Sequence, residues 1–304
     1  MKFSEAINDC IESLRVSGLN PAEKDRAEIF LRLMEEVGET LLRERKKHRE
    51  QVAGSHEPTR PVDLIITELI NERLVPLNVC GMLCSEDKES SLIYSDPMLA
   101  GKIVLTDAVD NTKAYVDVER DDFGSSLIGF DKTTGEVFIS VFILPAKNRV
   151  FCALGKNRAW MNGTRLVSLT VRTPPLIKQI NIRRPRNNTA SLEILELYEQ
   201  AETRSRKEHF DVSTGPDLTA LNALSMAEGH GPTRFLYYAK PWDILPAAFI
   251  AWAVGAHVID AKNSAPIFPL GQGLISKIGL TISEKKELEQ AGKLRDLYLI
   301  HWPE

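Results

Sequence analysis

Cysteine is scarce in this chain, long apolar runs are absent, and charge of neither sign dominates. Cys10, Cys80, Cys84 and Cys152 are too few to staple 304 residues, which excludes a disulfide scaffold. Cys80-x-x-x-Cys84 has no second pair at zinc-ligand spacing, so buried free thiols in a reducing compartment are expected. No apolar run reaches the ~18 residues of a membrane span, and the opening MKFSEAINDC lacks a charged-then-apolar leader pattern. A net charge of -4 gives no electrostatic reason for binding nucleic acid or an anionic membrane. There is no internal repeat and no low-complexity segment. The expectation is a cytoplasmic protein with neither nucleic acid nor membrane as partner.

At 43% hydrophobic and 26% charged, the composition is that of a globular protein, long enough for one large domain or two packed ones. Phe3, Ala6, Ile7, Cys10, Ile11 and Leu14 recur at helical spacing and stop at Gly18. A second helix starts near Pro21, with Ile29, Phe30, Leu33, Val37 and Leu41 as its apolar stripe, and runs into a charged stretch ending near Glu50. Within that stretch Arg43 to Arg49 reads as a solvated face. Residues 51–61 read as a polar loop. A third helix is expected from Val62 to about Val75, with Ile65, Ile66, Leu69 and Ile70 inward.

The periodicity then changes. Leu127–Phe130 and Val137–Leu144 flank a turn-rich DKTTGE, and Val150–Leu154 and Ala159–Met161 flank GKNR, so two hairpins are expected. After Pro174-Pro175 strand and helix patterns alternate. Strands are expected at Ile177–Ile182, Arg234–Tyr238 and His257–Asp260, with helices at Ser191–Glu202, Thr219–Glu228 and Ile244–Val254. An α+β region over 1–178 followed by an α/β region over 179–304 is the domain reading.

The chemistry concentrates in KIVLTDAVDNTKAY, residues 102–115. A strand through Ile103-Val104-Leu105 delivers Asp107 and Asp110 to one place, and a helix starts near Thr112. Two carboxylates at a strand end supply hard oxygen ligands for Mg²⁺, and free N–H groups at a helix start suit a phosphate. The bland alternative is an Asp-rich turn that caps the helix. Glu86 follows the apolar stretch Val79–Leu83, Asp63 opens the third helix, and Asp243 immediately precedes the apolar helix that carries Pro246 in its first turn. Taken singly, Asp63 and Asp243 read as N-caps and Glu86 as a surface residue.

Together these residues resemble the inositol monophosphatase superfamily of Mg²⁺-dependent, lithium-sensitive phosphatases. The resemblance rests on several motifs in order. The family's Asp-Pro-Ile/Leu-Asp-Gly-Thr stands here as Asp107-Ala108-Val109-Asp110-Asn111-Thr112, and its upstream Gly-Glu-Glu as Ser85-Glu86-Asp87. Its Trp-Asp motif stands as Trp242-Asp243, leading through a small-residue helix to Val254-Gly255-Ala256, and the Gly155-Lys156-x-x-Ala159-x-x-Asn162-Gly163 hairpin also matches.

The resemblance implies a layered α-β-α-β-α sandwich, two to three Mg²⁺ ions, Li⁺ as inhibitor and a homodimer. It further implies that Glu86, Asp107 and the Val109 carbonyl bind one ion and that Asp107, Asp110 and Asp243 bind a second. Thr112, held by Asp63, would work with Glu86 on the attacking water, and N–H groups around Asn111 and Thr112 would hold the phosphate. Hydrolysis of a small phosphorylated metabolite follows from these roles.

The chain departs from the pattern at two positions of the first motif. Ala108 replaces proline, and Asn111 replaces a glycine that permits positive φ and close approach of phosphate. Asn is the side chain that best tolerates αL, and its amide is a further phosphate donor; the alternative is an occluded site. Counting back from Trp242-Asp243, Leu236 falls where inositol-specific members carry a glutamate and Asp217 where they carry a glycine. Thr112-Lys113-x-Tyr115 and Pro246 look more like the branch cleaving 3′-phosphoadenosine 5′-phosphate. Arg183, Arg184 and Arg186 read either as a solvated face or as partners for a second phosphate. The leading reading is an inositol- or sugar-phosphate phosphatase; the alternatives are a 3′(2′),5′-bisphosphate nucleotidase or a catalytically silent metal- or ligand-binding member of the fold.

Overall fold

The structure, a computed structural model, describes residues 2–51, 60–77, 82–85, 92–93, 101–117, 119–169, 179–183, 192–207, 211–213, 219–230, 234–272, 274 and 296–301. The chain divides into two compact units. One comprises Met1–Thr133, Val137–Gly155 and Ala159–Arg165; the other comprises Thr134–Glu136, Lys156–Arg158 and Leu166–Glu304. The sequence reading put the boundary near 178; residues 170–178 lie outside the described residues.

The first unit begins with α1 (Phe3–Val16), α2 (Pro21–Gln51) and α3 (Arg60–Leu77). The six apolar residues spaced along α1 are all buried, as their period requires. On α2 the inward face is Ala27, Phe30, Leu33, Met34, Val37 and Leu41, so the expected stripe holds except that Ile29 is only partly covered. On α3 the inward residues are Val62, Ile66, Ile70 and Leu74, each four residues after the last. Ile65, expected inward, falls off that line and is exposed. The expected polar loop is shorter than 51–61, because Gln51 and Arg60 are helical; residues 52–59 lie outside the described residues.

After α3 come β1 (Met82–Ser85), β2 (Leu92–Ile93), β3 (Lys102–Asp110), the short helix α4 (Thr112–Val116), and β4 (Gly124–Asp131), β5 (Val137–Leu144), β6 (Arg149–Gly155), β7 (Arg158–Met161) and β8 (Thr164–Arg165). The sheet order is β2-β1-β3-β4-β5-β6-β7-β8. Strands β1 and β3 run parallel; the two expected hairpins are present as β4–β5 and β6–β7. Helix α2 lies against β4 and β5, α1 against β6 and α3 against β3. Val104, Leu127, Val141 and Cys152 reach into the helices' apolar cluster. Each large side chain withdrawn from water there contributes about 1.5–3 kcal/mol.

The Asn162-Gly163 pair has a structural reason. Asn162 sits at φ 47°, its Oδ1 accepts from the Val150 N–H at 2.8 Å, and its amide donates to the Asn148 carbonyl at 2.9 Å. Gly163 follows at φ 77°, where a Cβ would lie 2.5 Å from the Asp9 carbonyl oxygen of α1. Its N–H reaches the Cys10 sulfur at 3.1 Å. Cys10 and Cys152 are free and buried, and burial pushes the Cys10 thiol up to about 12. Cys80 lies outside the described residues.

The second unit contains β9 (Gln179–Arg183), α5 (Leu192–Lys207), β10 (Asp211–Ser213), α6 (Thr219–Ala227), β11 (Arg234–Ala239), α7 (Pro241–Ala253), β12 (His257–Asp260) and β13 (Asp296–His301). Its sheet has the order β10-β9-β11-β13-β12, parallel through β10, β9 and β11 and antiparallel across β13. On α5, Ile194 and Tyr198 are the buried residues, and Leu195 is exposed. Helix α7 starts at Pro241, three residues earlier than its apolar run suggests, because proline suits a first turn. Asp243 therefore lies inside that first turn with Lys240 as N-cap, and Pro246 lies inside the helix. Every α7 residue except Asp243 and Trp252 is buried. Among the described residues no helix is long and apolar enough to cross a membrane.

Candidate active site

Strand β3 carries its two aspartates through a change of register. Asp107 pairs with Ser126 and Asp110 with Gly124, so three steps along β3 match two along β4. That extra residue is a β-bulge. In a regular strand, residues three apart point to opposite faces. Residues opposite one another share a face, and Ser126 and Gly124 are two apart, so the bulge returns Asp107 and Asp110 to the same face. The bulge is flanked by pins: the Thr106 hydroxyl donates to the Ser126 carbonyl at 2.9 Å, and the Ser125 hydroxyl to the Asp107 carbonyl at 3.0 Å. Gly124 opposite Asp110 has no room for a side chain, since a Cβ would collide with the Ile143 carbonyl. Asp107 is 5% exposed and Asp110 half-buried.

The chain then turns sharply. Asn111 adopts φ 60°, ψ 55°, the left-handed conformation that the glycine-to-Asn departure demands. Its carbonyl accepts from the N–H groups of Ala114 and Tyr115 at 2.9 and 3.1 Å, which starts α4. Its amide nitrogen donates to the Asp122 carbonyl at 2.8 Å and lies 3.4 Å from the Asp122 carboxylate. The side chain expected as a further phosphate donor is thus engaged with Asp122. Thr112 is the first residue of α4, and its hydroxyl donates to the Val109 carbonyl at 3.2 Å. With its hydrogen placed there, the Thr112 oxygen keeps lone pairs that can accept from a water.

Asp63 is half-buried in the first turn of α3 rather than at its N-cap. Its charge reaches the Tyr115 phenol on α4. Burial foremost, then the charges of Glu44 and Asp63, push that phenol above its usual range against the opposing pull of Arg45. Strand β1 runs parallel to β3 and ends at Ser85 opposite Thr106, one step short of Asp107. Glu86, next in sequence, lies outside the described residues, as does Asp217. Leu236 is 2% exposed on β11 and packs with Ile194 and Tyr198, so it is a core residue of the second unit. In the same unit, Asp243 is half-buried, with its N–H on the Lys240 carbonyl at 3.2 Å and its carboxylate in the first turn of α7, where negative charge is favourable. Arg183 ends β9, and Arg184 and Arg186 lie outside the described residues.

One residue at this site was missed by sequence reasoning. Arg45, inside the charged run read as a solvated face, is 4% exposed and turned onto α4. Its guanidinium donates to the Tyr115 carbonyl at 3.1 Å, the Ala114 carbonyl at 3.3 Å, the Asp117 carbonyl at 2.7 Å and the Arg120 carbonyl, and pairs with Asp121 at 3.0 Å. It also stacks 4.3 Å from the centre of the Phe123 ring. The only signal in the sequence is that α2 continues its apolar stripe one turn past Leu41 to this position.

The candidate donors fit a hard divalent cation in kind: two carboxylates on one face of β3, and the carbonyl of Val109 in the same bulged segment. Among the described residues no group of three or more His, Cys, Asp or Glu is arranged to hold a metal. Asp107 and Asp110 are the two candidate ligands that share one face of a strand.

Comparison with known proteins gives the same family from independent features. A family model described as the inositol monophosphatase family matches residues 23–297. No curated protein matches the sequence. Among solved structures, inositol monophosphatase II of Staphylococcus aureus MSSA476 is similar with a TM-score of 0.62 at 16% identity, covering 90% of this chain and 87% of that one. The same staphylococcal protein has been solved bound to inositol monophosphate and bound to 2′AMP. The Thermotoga maritima IMPase gives 0.60 at 18% identity over 91% and 92% of the two chains. Extragenic suppressor protein suhB from Bartonella henselae gives 0.58 at 15% over 90% and 92%. Identities this low establish the shared fold, and the family model spans the bulged Asp107–Asp110 strand, the αL turn and the Trp242-Asp243 helix alike: this chain belongs to the inositol monophosphatase family.

Proposed function

We propose that the chain is a Mg²⁺-dependent phosphomonoesterase that hydrolyses a small phosphorylated metabolite, an inositol or sugar phosphate in preference to a nucleotide. The observation that carries this reading is the bulge that sets Asp107 and Asp110 on one face immediately before a left-handed turn into α4. Glu86, the Val109 carbonyl and Asp243 are assigned to complete the ligand set. Uncatalysed phosphate ester hydrolysis is extremely slow, and bound Mg²⁺ supplies charge neutralisation and a more acidic water. The protein's part is positional. Thr112, assigned with Asp63 behind it, orients the attacking water, and Glu86 takes its proton. The first N–H groups of α4 have no intrahelical partner and are assigned to the phosphate oxygens. Li⁺ inhibition and a homodimer belong to the same proposal.

The position of the Asn111 side chain supports activity over a silent role. It turns to Asp122 while the backbone adopts the left-handed conformation that a glycine permits. The staphylococcal relative, seen with both an inositol phosphate and a nucleoside phosphate, shows that one protein of this fold receives both ester classes. The test is phosphate release with Mg²⁺ from inositol 1-phosphate, fructose 1,6-bisphosphate, 2′AMP and 3′-phosphoadenosine 5′-phosphate. We expect kcat/KM for one of the first two to exceed that for either nucleotide by about tenfold. A nucleotide leading by that factor makes the chain a nucleotidase; no release from any ester replaces the proposal by the silent reading.

A further inference from the structure

A helix of five residues cannot hold itself, because so short a segment does not repay the cost of its first turn. Helix α4 is nonetheless the element that carries Thr112 and follows Asn111. Two contacts account for it, one at each end. At its start the Asn111 amide is tied to Asp122, and Asp122 is fixed in turn by Arg120, whose guanidinium meets its carboxylate at 2.7 and 3.0 Å. At its end the carbonyls of Ala114 and Tyr115 are received by Arg45, which also takes the carbonyls of Asp117 and Arg120. Asp117 and residues 119–122 thus form a strap whose inner side is read by one buried guanidinium.

A buried cation is costly unless its donors are satisfied, and here every nitrogen of the fork has an oxygen partner while its face lies on Phe123. Phe123 in turn meets the Tyr115 ring edge-on at 5.2 Å, and the Tyr115 hydroxyl donates to the Leu41 carbonyl one turn before Arg45. The three nitrogens of the planar fork face three sides, Nε to the Tyr115 carbonyl, Nη1 to Asp121 and Nη2 to a shared group of three carbonyls; a lysine has its donors on a single point and does not span them.

We propose that Arg45 is a positioning residue for the turn that receives the phosphate, acting through α4 and the strap of Asp117 and residues 119–122 rather than on the metal-binding carboxylates. This rests on the phosphatase reading above. Asp107 and Asp110 are held by their pairing to β4, whereas Asn111 and Thr112 depend on α4, whose Ala114 and Tyr115 carbonyls Arg45 receives. Loss of the fork therefore loosens ester binding and leaves the metal dependence in place.

The experiment compares the full-length wild type with Arg45→Lys and Arg45→Met by amide hydrogen exchange and by steady-state kinetics. Both variants are expected to exchange about tenfold faster over residues 112–123, with the β5–β6 hairpin unchanged. KM for the best ester is expected to rise about tenfold, while the Mg²⁺ concentration for half-maximal rate stays within about twofold. Unchanged exchange over 112–123, or unchanged KM in an active enzyme, overturns the proposal. So does loss of protection across β5 and β6 as well, which would make Arg45 a general core group. Full retention of both properties in Arg45→Lys overturns the fork in favour of charge alone. If the wild type releases phosphate from no ester, the phosphatase reading fails, and the exchange result by itself decides whether Arg45 clamps α4.

Discussion

Asn111 shows how a single departure from a family pattern is absorbed. The position needs positive φ, which costs most L-residues roughly 1–2 kcal/mol and Asn less. Asn also gains a bond to the Asp122 carbonyl, of the kind that contributes about 1 kcal/mol. Asn111→Ala is therefore expected to lower stability by about 2–3 kcal/mol, and Asn111→Gly by about 1 kcal/mol, since glycine recovers the turn but not the bond. Urea midpoints of the two variants check this; equal midpoints for Ala and wild type would mean that the left-handed turn is absent. The replacement of glycine was legible in the sequence. That its amide serves Asp122 was not, because the partner lies eleven residues on in a segment with no regular pattern. Arg45 was hidden for a simpler reason. In a run of arginines and lysines a buried cation has the same letters as its solvated neighbours, and only the carbonyls it meets distinguish it.

At the scale of elements, the strap that ends at Asp122 carries a titration. The Arg120 guanidinium foremost holds the Asp122 carboxyl below its usual range, against the opposing effect of burial. In the unfolded chain that group binds a proton near pH 3.9. Between that value and the lower native one the unfolded state holds more protons, so stability rises with pH there and is lost on acidification. Asp122→Asn is therefore expected to be less stable than wild type at pH 7, with the difference closing as the pH falls below about 4. Denaturant midpoints at pH 7 and pH 3 measure it; a difference independent of pH would contradict the assignment.

The elements themselves were readable to differing degrees. Helices α1 to α3 and the two hairpins declare themselves through period, while β10 and β13 passed unread. β10 is three residues long, and β13 pairs antiparallel into an otherwise alternating pattern. The bulge in β3 has no sequence signature at all. The spacing of Asp107 and Asp110 is compatible with a turn or a strand, and only the pairing to Ser126 and Gly124 resolves it.

For the molecule as a whole, the family was written in the order of motifs, and the fold follows from it. The central claim is narrower: that the bulged end of β3 binds the metal on which phosphate release depends. The most direct test is the rate of phosphate release from the best ester as a function of Mg²⁺ concentration, for wild type and Asp107→Asn. The account predicts no release without Mg²⁺, saturation in the wild type, and a loss of at least about a hundredfold in the variant at any Mg²⁺ concentration, since Asp107 is assigned to both ions. Release that proceeds without a divalent cation, or an Asp107→Asn curve that overlays the wild type, would contradict it.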